Sequence, residues 1–361
     1  MKTLQRQAKR FKGCTIGLDL HQAFIQVVVL DKEGNDALGK RIAFSPDAVK
    51  QLLLEWKKQG DVQVAFEACG CFIWVYDLAV QLLGRERVHA AHAKKLRMIA
   101  SSSEKNDHND AWWLAYMLYE QRLPKAYVAE GELRDLRRAG RELRKFTNMR
   151  SDLIRRVRSI FAQLGMKLPK GWHTSELKRA ASKELIDSVK GIDGEALKDL
   201  YALIESFSAT IKKWRGHVSK LCKAFPEVRV MMREMPGMKE VVAGLIYGEQ
   251  GSPQRYRNEK AYAKSTGITP GYRTSGGKTQ SVSITREGSP LARWALTRAV
   301  LACLRCKKGP GAQVKAWVMQ QVKRQKPKKK VIVAAARKMA EGIWRLIAWG
   351  EVFDLRRAFP T

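Results

Sequence analysis

Four acidic residues, Asp19, Glu67, Asp107 and Asp110, have the types and spacing from which a reaction centre can be built. Asp107 and Asp110 stand three residues apart in KNDHND (Lys105–Asp110), at the entrance to the apolar, helical run Ala111–Tyr119. Residues at i and i+3 of a helix share a face, so both carboxylates can address one point. Two like charges held that close repel unless a cation lies between them, and Mg²⁺ prefers such oxygen ligands. The same residue types also cap helix N-termini, where the dipole and the unpaired N–H groups favour them. The pair alone leaves capping and metal binding open. Asp19 interrupts an otherwise apolar strand, CTIGLDL, and Glu67 closes another, VQVAFE. A buried-strand carboxylate calls for a partner or a metal, although Glu67 by itself would pass for an ordinary strand end. Together the four supply what metal-assisted phosphoryl transfer needs, namely ligands for ions that polarise a phosphate and stabilise the attacking and leaving oxygens.

The elements that must position them are legible in outline. Cys14–Leu20 and Phe24–Leu30 are rich in β-branched residues, with a turn at Lys32–Asn35 and a further strand over Lys40–Ser45, which predicts adjacent hairpin strands. Asp47–Gln59 has helical spacing, Val62–Glu67 reads as a buried strand, Phe72–Leu83 as an apolar helix and Arg87–Ala90 as a short strand. This alternation predicts an α/β domain ending near residue 125. Within Leu133–Leu164, residues from Leu136 to Leu164 follow a/d spacing, broken by Arg150, and Pro169 to Gly171 end the helix. From Leu197 to Phe225 the apolar steps alternate strictly between three and four. Packing inside one chain would explain each run, but the pair is read here as a coiled-coil hairpin or dimerising arm. Pro226 opens a third, mostly helical part. There Met235–Gly248 (MPGMKEVVAGLIYG) is similar to a helix-hairpin-helix element, whose Pro-Gly turn and following helix N-terminus can hold a DNA phosphate, although the same letters make an ordinary turn. Ser275 lies in a basic, glycine-rich loop before Gly276 and Gly277, where the backbone can approach a phosphate closely, with Arg273 and Lys278 beside it.

Charge narrows the function class. The chain has 68 Lys and Arg against 35 Asp and Glu, a formal +33, which points to a polyanionic partner and to nucleic acid before a membrane surface. Residues 134–158 alone carry ten Arg or Lys against three acids. Lys323–Lys330 has six basic residues in eight, directly before the amphipathic stretch VIVAAARKMAEGIWRLI. No apolar run approaches the ~20 residues of a membrane span, and the basic leader Met1–Lys12 lacks the apolar core of a signal peptide. Six scattered cysteines suit reduced thiols in a cytosol, and the lone Cys303–Cys306 spacing is explained by a helix as well as by zinc.

GLDLH with Asp19, EACG with Glu67 and KNDHND with Asp107 and Asp110 resemble the Asp-Glu-Asp-Asp set of insertion-sequence transposases with a RuvC-like N-terminal domain. GITPGYRTSGGKTQ and ITREGSPLARWAL resemble the C-terminal domain of the same family. The resemblance covers nearly the whole chain. It implies an RNase H-like (RuvC-like) α/β domain over 1–125, a coiled-coil linker over 126–226 and a mostly α transposase domain over 227–361. It further implies that Asp19, Glu67, Asp107 and Asp110 hold Mg²⁺, and that Ser275 is the nucleophile that joins DNA covalently. Relatives often have Ser-Ser or Ser-Thr before Gly-Gly where this chain has Thr274-Ser275, so Thr274 is the alternative. Also implied are donor and target DNA, a structured guide RNA from the element, a composite site built by a dimer to tetramer, and a cytoplasmic, nucleoid-associated setting. Two rivals remain from the residues alone: a RuvC-like nuclease or junction resolvase that uses water, and a non-catalytic RNA-binding scaffold.

Overall fold

The computed structural model describes residues 10–99, 106–275 and 278–360. Most of the leader, Lys105 and the Gly276-Gly277 pair therefore lie outside the described residues. The chain divides into two compact units, Met1–Val128 and Ala129–Thr361.

The first unit is a five-stranded mixed sheet with helices. Strands β1 (Cys14–Leu20), β2 (Phe24–Leu30) and β3 (Asp36–Ala43) form an antiparallel meander, while β4 (Val62–Glu67) and β5 (Val88–Ala91) run parallel to β1 on its other side. The order β3-β2-β1-β4-β5 is the arrangement expected of an RNase H-like domain. Helices α1 (Pro46–Gln59) and α2 (Phe72–Leu83) bury Val49, Leu53, Val75 and Tyr76 in one core with Ile16, Val64 and Phe66. After α3 (Ala93–Ile99), helix α4 (Asp107–Tyr119) covers the opposite sheet face, packing Ala111 and Ala115 on Val28 and Leu114 on Ala65. The approach is close. A Cβ at Gly17 would come within 1.9 Å of the Ala111 carbonyl oxygen, so only glycine admits the helix there.

Strand β3 begins four residues earlier than its sequence suggests. The Asp31 carboxylate accepts from the N–H groups of Glu33 and Asn35, closing the turn and returning the chain to pairing at Asp36. As an edge strand, β3 shows no apolar alternation from which its start could be read.

On β5, His89 is buried, with Nε2 3.0 Å from Gln63 Oε1. Burial, with Lys125 and Arg85 nearby, pushes its pKa down from 6.5 to about 4. Unfolding therefore takes up a proton between those values, and stability present above pH ~6.5 is lost as pH falls toward 4, by about 3 kcal/mol. Denaturant midpoints at pH 7 and 4.5 should show this loss, and His89→Gln should flatten it.

The second unit is mostly helical. Two long helices, α5 (Gly131–Gln163) and α8 (Gly191–Cys222), run antiparallel, joined through the short α6 (Glu176–Ala180) and α7 (Lys183–Asp187). At one end Ile154, Val157 and Phe161 meet Leu197, Leu200 and Ile204. At the other Leu136, Ala139 and Leu143 share a core with Ile211, Val218 and Cys222. Phe146 bridges them, its ring 6.0 Å from Phe207 and 6.1 Å from Trp214. The regular apolar stripes, read as a coiled-coil hairpin or dimerising arm, thus pack on each other within the chain, which leaves neither stripe free for a dimerising arm. Ile204 is fully buried and Ile211 nearly so, so lysine at either would place an ammonium in the core and destabilise the fold.

That same core continues into α9 (Pro226–Glu234), α10 (Glu240–Gln250), α11 (Glu259–Ser265), α12 (Pro290–Cys303), α13 (Pro310–Lys323) and α14 (Lys328–Ala348). The Pro236-Gly237 turn between α9 and α10 is packed inward, with Pro236 buried and a Cβ at Gly237 falling 2.3 Å from the Ala299 carbonyl oxygen. Cys303 lies on the same contact, fully buried, its thiol pushed up to about 12 by burial, which suits packing and not a zinc thiolate. Glu249, buried at the end of α10, accepts from Arg141 Nε (2.7 Å) and Nη2 (3.1 Å) and from Ser289 Oγ (2.9 Å), tying α5, α10 and α12 together. The basic run at Lys323–Lys330 is exposed where α13 passes into α14. Among the described residues no helix is long and apolar enough to cross a membrane.

Candidate active site

The carboxylates of the first unit are placed by the register of two parallel strands and by one helix end. Gly17 pairs with Ala65 and Leu18 with Phe66. Asp19 and Glu67 are the next residues along β1 and β4, on the face shared by Gly17 and Ala65. Helix α4 lies on that face, so its first turn comes to the end of β1. Asn106 is the N-cap, its side chain accepting from the N–H of His108 at 3.1 Å. Capping therefore falls to Asn106, and Asp107 and Asp110 are left in the first turn.

Among the described residues, Asp19, His21 and Asp107 form a group whose ligand atoms all lie within 4.8 Å of one another. His21 Nε2 is 2.8 Å from Asp19 Oδ2 and 3.5 Å from Asp107 Oδ1. The second Asp107 oxygen accepts from Arg41 Nη2 at 3.3 Å. Asp19 is mostly buried, at 17% exposure, while Asp107 is 37% exposed. Burial pushes the Asp19 carboxyl up from its ordinary value; His21 opposes this, and the charges of Asp110 and Asp107 reinforce it. Negative charge is thus crowded in a half-buried place, and the donor set, two carboxylates and an imidazole, fits a divalent cation. Glu67 and Asp110 stand outside the group of three. Asp110 acts on Asp19 through its charge, and Glu67 is the residue of β4 that the register sets beside Asp19.

Two further residues at the site, His21 and Arg41, are not among the four acids that the sequence singles out. His21 carried a signal, since it follows Asp19 by two and i, i+2 residues of an extended chain share a face. Arg41 carried none. It reaches the site through the cross-strand row Asp19–Gln26–Arg41 and stacks 4.3 Å over the Phe24 ring.

The serine stretch belongs to the second unit. It is an antiparallel hairpin and not a loop, β6 (Pro270–Ser275) with β7 (Lys278–Ile284), and Ser275 pairs with Lys278. Ser275 is exposed at the strand end, one residue beyond Thr274, which pairs with Thr279. The side chains of Arg273 and Lys278 lie outside the described residues.

Residues 16–166 match the family model described as a transposase with the DEDD set of IS110 elements, and residues 230–315 match that of the transposase IS116/IS110/IS902 family. A Sinorhizobium fredii transposase is 27% identical over 211 residues, 56% of this chain but 52% of that one, so the chain spans about half of that relative's length. A family 20 transposase of Pseudomonas aeruginosa is 22% identical over 351 residues, 92% of this chain and 96% of its own. The chain is a transposase, in the class of enzymes that cut and rejoin DNA. It belongs to the IS110 family, whose DEDD set implies a divalent metal.

Proposed function

We propose that this protein recombines the DNA of its own mobile element, with Asp19, Glu67, Asp107 and Asp110 holding the metal against the scissile phosphate and Ser275 attacking it. The observation that carries the reading is the meeting of Asp19 and Asp107 where β1 ends and α4 begins. When bound, Mg²⁺ supplies Lewis-acid polarisation of the phosphate and neutralises developing charge. Asp19 and Asp107 would hold the metal, and Arg41 keeps Asp107 turned toward the site. The Ser275 Oγ–phosphorus bond forms as the bond to the departing deoxyribose oxygen breaks, and the serine proton leaves to solvent. Rejoining reverses this: a hydroxyl of another strand attacks the phosphoserine and releases Ser275. The phosphodiester energy is conserved, so no ATP is needed.

In this reading residues 1–125 are the metal-binding domain, 126–226 a coiled-coil linker, and 227–361 bring the serine. The helix-hairpin-helix-like role of Met235–Gly248 rests on exposed Lys239 at the mouth of α10, because the Pro236-Gly237 turn itself is packed inward. Assembly into a dimer or tetramer uses surfaces other than the apolar stripes of α5 and α8. The basic flank of α5 and Lys323–Lys330 meet phosphates of the donor and target DNA and of a structured guide RNA encoded by the element, in the cytoplasm beside the nucleoid. The test combines purified protein, element-end and target duplexes, Mg²⁺ and the RNA transcribed beside the gene. Recombinant product is expected with all four and none in EDTA. Activity in EDTA would overturn the metal reading, and product without RNA would remove the guide.

A further inference from the structure

We propose that His21 is itself a metal ligand, and that its nitrogen makes the site favour Mn²⁺ over the all-oxygen preference of Mg²⁺. The inference rests on the carboxylate-metal reading above and adds a residue to it. Ligand atoms bound to one small divalent ion at about 2.1 Å lie about 3 to 4 Å from each other. The His21 Nε2 separations from Asp19 Oδ2 and Asp107 Oδ1, 2.8 and 3.5 Å, fall near that spacing. The imidazole is also held in place. Its backbone N–H donates to the Phe24 carbonyl at 3.0 Å, closing the tight turn between β1 and β2. Its ring packs on Phe24 at 4.9 Å between centroids, and Phe24 in turn lies under the Arg41 guanidinium at 4.3 Å. The same Arg41 takes the outward oxygen of Asp107, leaving Oδ1 facing His21. Nε2 is hydrogen-bonded to Asp19 Oδ2 and lies near Asp107 Oδ1, where one ion could take all three atoms in place of that hydrogen bond. Mn²⁺ also favours oxygen but accepts one imidazole nitrogen more readily than Mg²⁺, which keeps to oxygen and water.

The direct test is pulsed electron paramagnetic resonance of the full-length protein loaded with Mn²⁺ alone. Envelope modulation from a directly bound ¹⁴N is expected, and it should change when the protein is grown with ¹⁵N-histidine. In His21→Gln, which offers oxygen in place of nitrogen, that modulation should vanish. By calorimetric titration its Mn²⁺ Kd should rise on the order of tenfold, and its Mg²⁺ Kd should change less. Mn²⁺ bound without nitrogen modulation would place His21 outside the coordination sphere and overturn the proposal while leaving the carboxylate site intact. Modulation persisting in His21→Gln would move the ligand to another histidine and overturn it equally. Failure of the wild-type chain to bind Mn²⁺ at all, with Asp19→Asn indistinguishable from it, would sink the carboxylate reading as well. The labelled wild-type spectrum decides the matter even if the variant proves unstable.

Discussion

Asp19→Asn is expected to abolish DNA strand cleavage while leaving the protein at least as stable as before. The amide keeps the shape of the side chain and removes its negative charge. Losing a charged metal ligand forfeits several kcal/mol of transition-state stabilisation, about a thousandfold or more in rate. Stability should move the other way, if at all. Burial raises the Asp19 carboxyl pKa, and the neighbouring charges of Asp110 and Asp107 add to the rise. A group whose folded pKa lies above its unfolded one stabilises the fold least when ionised, so the penalty sets in as pH rises through the carboxylate range. At neutral pH, in the absence of metal, asparagine escapes that penalty. The measurement is cleavage of an end-labelled duplex beside a thermal melt. Cleavage within tenfold of wild type would remove Asp19 from the centre. A melt lowered by several degrees would make its role structural.

Ser275→Ala is expected to bind DNA and metal normally yet to form no covalent protein–DNA product, with strand exchange down by about 10⁴-fold or more. Ser275 is exposed, and its pairing with Lys278 uses the backbone, so alanine should leave the β6–β7 hairpin unchanged. Serine is a weak nucleophile at neutral pH and depends on a phosphate already activated by the metal site. Trapping a denaturation-resistant adduct on a suicide duplex and sequencing the linked peptide reads this directly. An adduct on Thr274 would move the nucleophile by one residue. Cleavage by Ser275→Ala at the wild-type rate with no adduct would favour a water-using nuclease.

The parts of this molecule visible in its sequence are those where one strong pattern acts alone. Strands β1, β2 and β4 are apolar runs bounded by turns, and α2 and the long α5–α8 pair are plain from their spacing. The carboxylates stand out because each breaks, closes or opens such a run. What stayed hidden depends on contacts between distant segments. The apolar stripe of α8 has the same three–four alternation whether its partner is another chain or α5, and the letters do not name the partner. Edge strand β3 has no buried alternation to announce it. The β6–β7 hairpin mixes serine, threonine and glycine with charged residues and shows no apolar run, so it reads equally as a loop until the cross-strand register is known. Arg41 is 66 residues from the Asp107 it holds.

Gly17 carries no atom that could bind a metal, donate a proton or touch DNA. Yet the bare hydrogen it presents to Ala111 sets how deeply α4 seats on the sheet, and so how far the acids of its first turn stand from Asp19. The spacing between Asp19 and the acids of α4 is therefore a thickness, that of one helix resting on one strand. A genetic screen for inactive alleles should return this glycine among the acids, and a chemist reading only reactive groups would not know why it was there.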